Sequence, residues 1–360
     1  MHPLVVFGLA GAVLAWLLDD KDSKMPAVQG QFDEFHSLIK LDEDDEKAKL
    51  REKRDTLLKA LKAGLGDDVP AFENFNQGSY SMHTGVVPLD GNYDIDVGLI
   101  FDCKRDKYTD PVALKKKVRD ALDTNCRTVV IRRPCVTVNY MRDKEVDYHV
   151  DLAVYVKRDD SLLDLAKGKE NSDASKRVWE VSDPKGLTSI ICKAFSKPEE
   201  LAQFRRCIRY LKRWRNVQFS TGAPLSIALT VAAKQQFRPH FETSGKPGDL
   251  IALLNWVKAM LDAFDYTYTA DDGFHSRLKV LLPVSPHTDL MEWMSQAQMD
   301  AFRLKLEGLR DALQGAYDED LPEDACKVLN KQFGDDFKVP TKADTARAVS
   351  APVISTGSSA

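Results

Sequence analysis

The chain lacks the positive excess of a nucleic-acid binder: 51 Lys and Arg stand against 55 Asp and Glu, a net charge of −4. No general pull toward polyanions follows, and only a local basic patch stays open. Paired cysteines are absent too. Cys103, Cys126, Cys135, Cys192, Cys207 and Cys326 lie far apart, with no C-x-x-C and no Cys/His cluster at zinc spacing. That excludes a structural zinc module and reads as reduced thiols in a cytosolic chain. Internal repeats are missing, and so is an apolar run of the roughly 20 residues needed to span a bilayer. The longest, Pro3 to Leu18, has sixteen residues and runs into Asp19-Asp20. It has neither the basic residues ahead of it nor the cleavage site after it that a signal peptide carries. It is expected to be an extension before a functional start at Met25, the alternatives being a weak membrane anchor and a helix packed on the domain.

What is present is a globular composition, 43% hydrophobic and 29% charged over 360 residues, enough for two domains. Leu50, Leu57, Leu61 and Leu65 recur at helical spacing in a charged segment. Strands are expected at Ala71 to Phe75 and Tyr93 to Phe101, and a helix at Pro111 to Asn125. A hairpin follows, its arms Cys135 to Met141 and Val146 to Val156, with a polar turn between them. Beyond Lys157 the strand signals stop, and Ser161 to Lys185 reads as a polar connection between lobes. The second half reads as helices at Pro198 to Val217, Pro224 to Phe237, Asp249 to Phe264, Leu290 to Ala316 and Pro322 to Phe333. Strands followed by helices predict an α+β protein, with a mixed-sheet lobe at 25–185 and a helical lobe at 186–340. An apolar extension at 1–24 would precede them, and a disordered tail at 341–360 would follow.

The strand "YDIDVGLIF" puts Asp94, Asp96 and Gly98 on one face and Ile95, Val97 and Leu99 on the other. Two carboxylates side by side on a half-buried strand repel each other unless a cation sits between them. Hard divalent ions take carboxylate and phosphate oxygens, and a pair of them clamps a phosphoryl displacement. Such a site wants a third carboxylate. Glu145, Asp147, His149 and Asp151 share a face of the second hairpin arm, and Asp151 is the candidate because Val150 and Leu152 flank it, whereas Asp147 lies near the turn. Gly78-Ser79 adds a turn whose N–H groups and hydroxyl can approach a triphosphate.

Taken together, "QGSYSMHTG", "DGNYDIDVGLIFD" and "YHVDLAVYV" resemble the nucleotidyltransferase core of the polymerase β superfamily, and more closely the bacterial cGAS/DncV-like nucleotidyltransferases. Those make cyclic oligonucleotide signals in antiphage defence. The resemblance spans most of Met25 to Phe333 and includes "QFDEFHSLIKL", "WEVSDPKGL" and "RRCIRYLKRW". It implies that Asp94, Asp96 and Asp151 hold two Mg²⁺ ions, with Mn²⁺ as the alternative, and that Gln77, Gly78, Ser79, Lys212 and Ser226 bind the nucleotide. ATP, GTP or both would be joined into a cyclic di- or trinucleotide with loss of pyrophosphate, and a downstream effector would read the product. Competing readings are a linear oligoadenylate, poly(A)-type or antibiotic-modifying transferase, and a catalytically silent binding or antitoxin module. Arg205, Arg206, Arg209, Arg213 and Arg215 offer an RNA-binding alternative, as in the similar oligoadenylate synthases, but the net charge speaks against a large nucleic-acid footprint. The absence of a zinc insertion weakens double-stranded DNA as activator. In similar bacterial systems an E1/E2-like partner conjugates the C-terminal carboxylate, and the small residues of the tail make Ala360 the expected point of attachment.

Overall fold

The computed structural model describes residues 27–41, 46–123, 127–142, 145–269 and 273–340. The extension at 1–24, Cys126, and the tail with Ala360 lie outside the described residues. Among the described residues no helix is long and apolar enough to cross a membrane, and Cys103, Cys135, Cys192, Cys207 and Cys326 are free thiols.

A seven-stranded sheet forms the first layer. Its strands are β1 (Phe72–Asn76), β2 (Tyr93–Phe101), β3 (Thr128–Ile131), β4 (Val136–Arg142), β5 (Glu145–Lys157), β6 (Leu163–Lys167) and β7 (Val178–Ser182). The order is β1-β2-β5-β4-β3, with β6 pairing both β5 and β7. Only β2 and β5 run parallel; every other pairing is antiparallel. Such a mixed sheet is what the α+β expectation requires. Ile95, Val97 and Leu99 are fully buried against Leu57 and Leu61 of the Glu46–Gly64 helix and Leu114, Val118 and Leu122 of the Pro111–Leu122 helix. The latter begins where Asp110 accepts the Val112 N–H at 2.9 Å and Pro111 presets the first turn.

The expected polar connection at 161–185 is wrong. It holds β6, β7 and a helix at Pro184–Cys192. Charge hid β6, for Asp164 is buried there and ion-pairs with Arg158 at 2.9 Å. Burying an acid is tolerable only with such a partner, and no pattern of residues announced it. Short β3 was also unforeseen. In the second half the reading of helices alone missed a hairpin of β8 (Phe264–Thr269) and β9 (Gly273–Leu278). The helix expected from Leu290 begins at Gln296, where Ser295 and Gln298 form a capping box.

The helical layer has its own core, built on Phe204, Ile208, Leu211 and Trp214 of the Pro198–Gln218 helix. The Gln29–Ile39 helix packs here: Phe32 and Phe35 meet Tyr210, Phe333 and Phe337. A segment from before the sheet thereby becomes part of the helical layer.

Candidate active site

Parallel pairing of β2 with β5 places Asp94 opposite His149 and Asp96 opposite Asp151. On one sheet face this gathers three possible metal ligands, Asp94, His149 and Asp151, with ligand atoms within 4.8 Å of one another. Asp94 Oδ1 lies 3.3 Å from His149 Nε2. The other ring nitrogen, Nδ1, is 3.1 Å from Asn92 Oδ1. Thr137, opposite Asp151 on β4, donates its hydroxyl to Asp151 Oδ1 at 2.5 Å. Asp147 lies one residue before this parallel register, which starts at Tyr148.

Asp96, opposite Asp151 in that register, lies against the glycine turn. Gly78 has φ +67°, and a Cβ built on it would stand 1.8 Å from Asp96 Oδ2. Only glycine satisfies both conditions. The Gln77 N–H donates to Asp96 O at 3.1 Å, and Tyr155 donates its hydroxyl to Gln77 Oε1 at 2.9 Å. Gly98, two residues further along β2, makes room for Phe75, whose ring would lie 2.2 Å from an added Cβ.

The electrostatics follow from this crowding. Asp94 is pushed up to about 7 by desolvation and then by the Asp151 charge, against a pull from Arg132. Asp96 is pushed up to about 8 by desolvation and then by Asp94 and Asp151. Clustered carboxylates with raised pKa values are a site short of positive charge, and a divalent cation fits it. Carboxylate oxygens suit Mg²⁺, and the added imidazole is compatible with Mn²⁺.

Beside the carboxylates a cleft of about 590 Å³ opens between the sheet and the helical layer. Its walls include Asp94 and Asp96 together with Gln77, Gly78, Ser79, Lys212 and Ser226. Asp151 does not line the cleft; its carboxylate is tied to Thr137. Lys212 is buried, donates to Thr84 O and Oγ1, each at 3.1 Å, and is pushed down to about 7 by desolvation and then by Arg209 and Arg215. Ser226 is the first residue of the Ser226–Gln236 helix, whose capping position is Leu225.

Four of the five clustered arginines are engaged within the fold and do not form the basic face that an RNA-binding reading needs. Arg206 ion-pairs with Asp249 at 2.7 Å, Arg209 and Arg213 are buried, and Arg215 donates to Pro224 O at 2.8 Å. Two site neighbours escaped the sequence reading, and a third, His149, was named there on the face of Asp151 without being chosen. Thr137 and Asn92 become neighbours only through strand register and loop folding, which the sequence does not print.

Two family models match the chain: the nucleotidyltransferase domain of the cyclic GMP-AMP synthase DncV-like group over residues 72–155, and the cyclic GMP-AMP synthase C-terminal domain over 202–343. The chain belongs to the DncV-like nucleotidyltransferase family. A cyclic GMP-AMP synthase of Escherichia albertii is 30% identical over 177 residues, which cover 46% of this chain and 37% of that protein. The match thus spans little more than a third of that relative. Among solved structures, Bradyrhizobium diazoefficiens CdnG in complex with GTP superposes with TM-score 0.65 at 17% identity, covering 86% of this chain and 96% of CdnG. The GTP-bound form of Vibrio cholerae DncV gives 0.57 at 18% identity over 91% and 90%. At such identities these likenesses speak for the fold, with its mixed sheet and helical layer.

Proposed function

We propose that this DncV-like chain is a template-independent nucleotidyltransferase that joins ATP, GTP or both into a cyclic di- or trinucleotide, a signal in antiphage defence. The observation that carries the reading is one cleft holding Asp94, Asp96, the Gly78-Ser79 turn, Lys212 and Ser226 beside the Asp94–His149–Asp151 cluster. In each step a ribose hydroxyl oxygen of one nucleotide bonds to the α-phosphorus of another, and pyrophosphate leaves. Asp94, Asp96 and Asp151 would hold the divalent ions, Mg²⁺ or Mn²⁺, with His149 at their side. Such ions, when bound, neutralise charge on the phosphates of an in-line displacement.

The chain's own work is positioning and charge. The N–H groups and hydroxyl of the Gly78-Ser79 turn grip the triphosphate. Lys212, poised between charge states near neutrality, is held cationic once phosphate charge arrives beside it. Ser226 presents a helix N-terminus, which favours an anion. Thr137 fixes the orientation of Asp151, which also readies the attacking hydroxyl.

Incubation with each labelled triphosphate and Mg²⁺, followed by phosphatase and mass spectrometry, tests the reading. A phosphatase-resistant ring is expected. A phosphatase-sensitive ladder would mean a linear transferase, and no product from any triphosphate combination would favour a silent module. Cytoplasmic action, a cyclic-nucleotide effector and conjugation of Ala360 by an E1/E2-like partner complete the proposal. A bulky C-terminal extension should leave basal synthesis intact and remove activation in cells; equal protection by tagged and untagged chains would sink the Ala360 assignment.

A further inference from the structure

Three basic side chains of the Pro198–Gln218 helix end on the main chain of one short segment of the sheet lobe. Arg209 Nε donates to Gly85 O at 3.1 Å, and its Nη2 to His83 O at 2.5 Å. Lys212 takes Thr84 O and Oγ1, and Arg213 Nη2 takes Val87 O at 2.8 Å. Positions 209, 212 and 213 fall on one side of a helix, so a single helical face grips residues 83–87. That segment is joined in turn to the glycine turn: the Thr84 N–H donates to Ser79 O at 3.0 Å and the Met82 N–H to Gly78 O at 3.3 Å. His83 sits in the left-handed region at φ +56°, a conformation that a non-glycine residue keeps only when its surroundings impose it.

We propose that Arg209 is a positioning residue: by clamping the carbonyls of His83 and Gly85 it sets the Gly78-Ser79 turn at a fixed distance from Lys212, and so sets nucleotide affinity. Its planar fork spans two carbonyls two residues apart, a task for which the single ammonium of lysine is too compact. Burial at 6% exposure keeps water from competing for those carbonyls. The third arm, Nη1, lies 3.0 Å from His36 Nε2. Arginine only donates, so this imidazole nitrogen accepts, and the clamp is braced by the Gln29–Ile39 helix. The inference rests on the nucleotidyltransferase reading and deepens it.

The test compares Arg209→Lys with Arg206→Met, whose partner Asp249 lies away from the loop. In Arg209→Lys the amides of residues 83–87 should exchange with solvent about tenfold faster or more. The KM for Mg²⁺-ATP or Mg²⁺-GTP should rise about tenfold with kcat within about threefold of wild type, the mark of lost ground-state positioning. Arg206→Met should lower Tm and leave KM unchanged. Unaltered exchange in Arg209→Lys, or a KM within about twofold of wild type, overturns the proposal. A wild-type chain that turns over no triphosphate would refute the nucleotidyltransferase reading instead, and the exchange rates would then decide alone whether Arg209 holds the loop.

Discussion

Gly78 and Asp96 occupy space that admits no side chain between them: a Cβ on Gly78 would fall 1.8 Å from Asp96 Oδ2. The backbone of the Gly78-Ser79 turn, proposed to bind phosphate, is therefore laid directly on a carboxylate proposed to help hold the metal. Gly91 is a natural control, since its φ of +72° is similar and nothing lies within 4 Å of its would-be Cβ. Both Gly→Ala changes impose the left-handed penalty of about 1–2 kcal/mol. Only Gly78→Ala must also displace Asp96. Activity should fall about 100-fold or more in Gly78→Ala and stay near wild type in Gly91→Ala, measured as product formed per minute. Equal activities would show that contact with Asp96 is irrelevant.

The carboxylates themselves divide by role. Asp94→Asn and Asp151→Asn should each reduce product formation at least about 100-fold, because each removes a proposed metal ligand. Asp147→Asn should stay active. Thr137→Val leaves the ligand in place but loses the hydrogen bond that orients it, so a loss of about 10-fold is expected. An inactive Asp147→Asn beside a fully active Asp151→Asn would reverse the assignment of the third ligand.

Stability of the metal-free protein should depend on pH in a direction fixed by Asp94 and Asp96. Both are raised, to about 7 and about 8, above their ordinary value of 3.8. The folded chain thus retains protons that the unfolded chain has already lost, and their contribution to stability falls as pH rises toward about 8. His36, pushed down to about 4 by desolvation and then by Arg209, acts oppositely. The folded chain refuses the proton that unfolded histidine takes up, so stability is lost as pH drops from about 6.5 toward 4. Between pH 6.5 and 7 the aspartates govern; above about 7 Lys212, itself pushed down to about 7, opposes them, because the unfolded chain keeps the lysine proton that the folded chain loses. In EDTA, Tm should decline between pH 6.5 and 7, and Asp96→Asn should flatten the decline and raise Tm at pH 8 by a few degrees, on the order of 1 kcal/mol. Millimolar Mg²⁺ should restore the wild type and release protons. A lower Tm for Asp96→Asn at pH 8 in EDTA would contradict the account.

How much of this was legible in the sequence depends on the range of the cause. The strand at Tyr93–Phe101 was read with its bounds correct because its alternation is local: alternate residues face a buried core. The turn at Gly78 was visible as a Gly-Ser pair, but its contact with Asp96 depends on β1 and β2 pairing. Asp164 and the Pro198–Gln218 arginines were misread because a charge in sequence looks solvated until its partner is known. That partner, Arg158 for one and Asp249 or a main-chain carbonyl for the others, is set by tertiary packing. The β8–β9 hairpin went unread although "FDYTYT" alternates aromatic and polar residues, since the helical pattern around it set the expectation for the whole lobe.

Asp249 is a buried hub of the helical layer. Fully buried, it accepts from Arg206 Nε at 2.7 Å and Nη2 at 2.8 Å, from Gln203 Nε2 at 3.0 Å and from the Tyr210 hydroxyl at 2.9 Å. Burial alone would raise its pKa; the hydrogen bonds and charge of Arg206, with Gln203 and Tyr210, outweigh that and hold it below 3.8. A carboxyl depressed in the folded state contributes stability that is present above pH 4 and lost only as pH falls below it. The neutral variant Asp249→Asn leaves the Arg206 charge half-buried without its counter-ion, and removing one partner of such a pair costs about 3–5 kcal/mol. Chemical denaturation at pH 7 should show a loss of that size, with catalytic parameters unchanged at temperatures where the variant stays folded. Replacing the pair by Arg206→Met with Asp249→Leu should recover part of the loss, because the desolvation of both charges is then avoided. A double variant less stable than Asp249→Asn would mean that Gln203 and Tyr210, which also depend on this carboxylate, matter more than the ion pair.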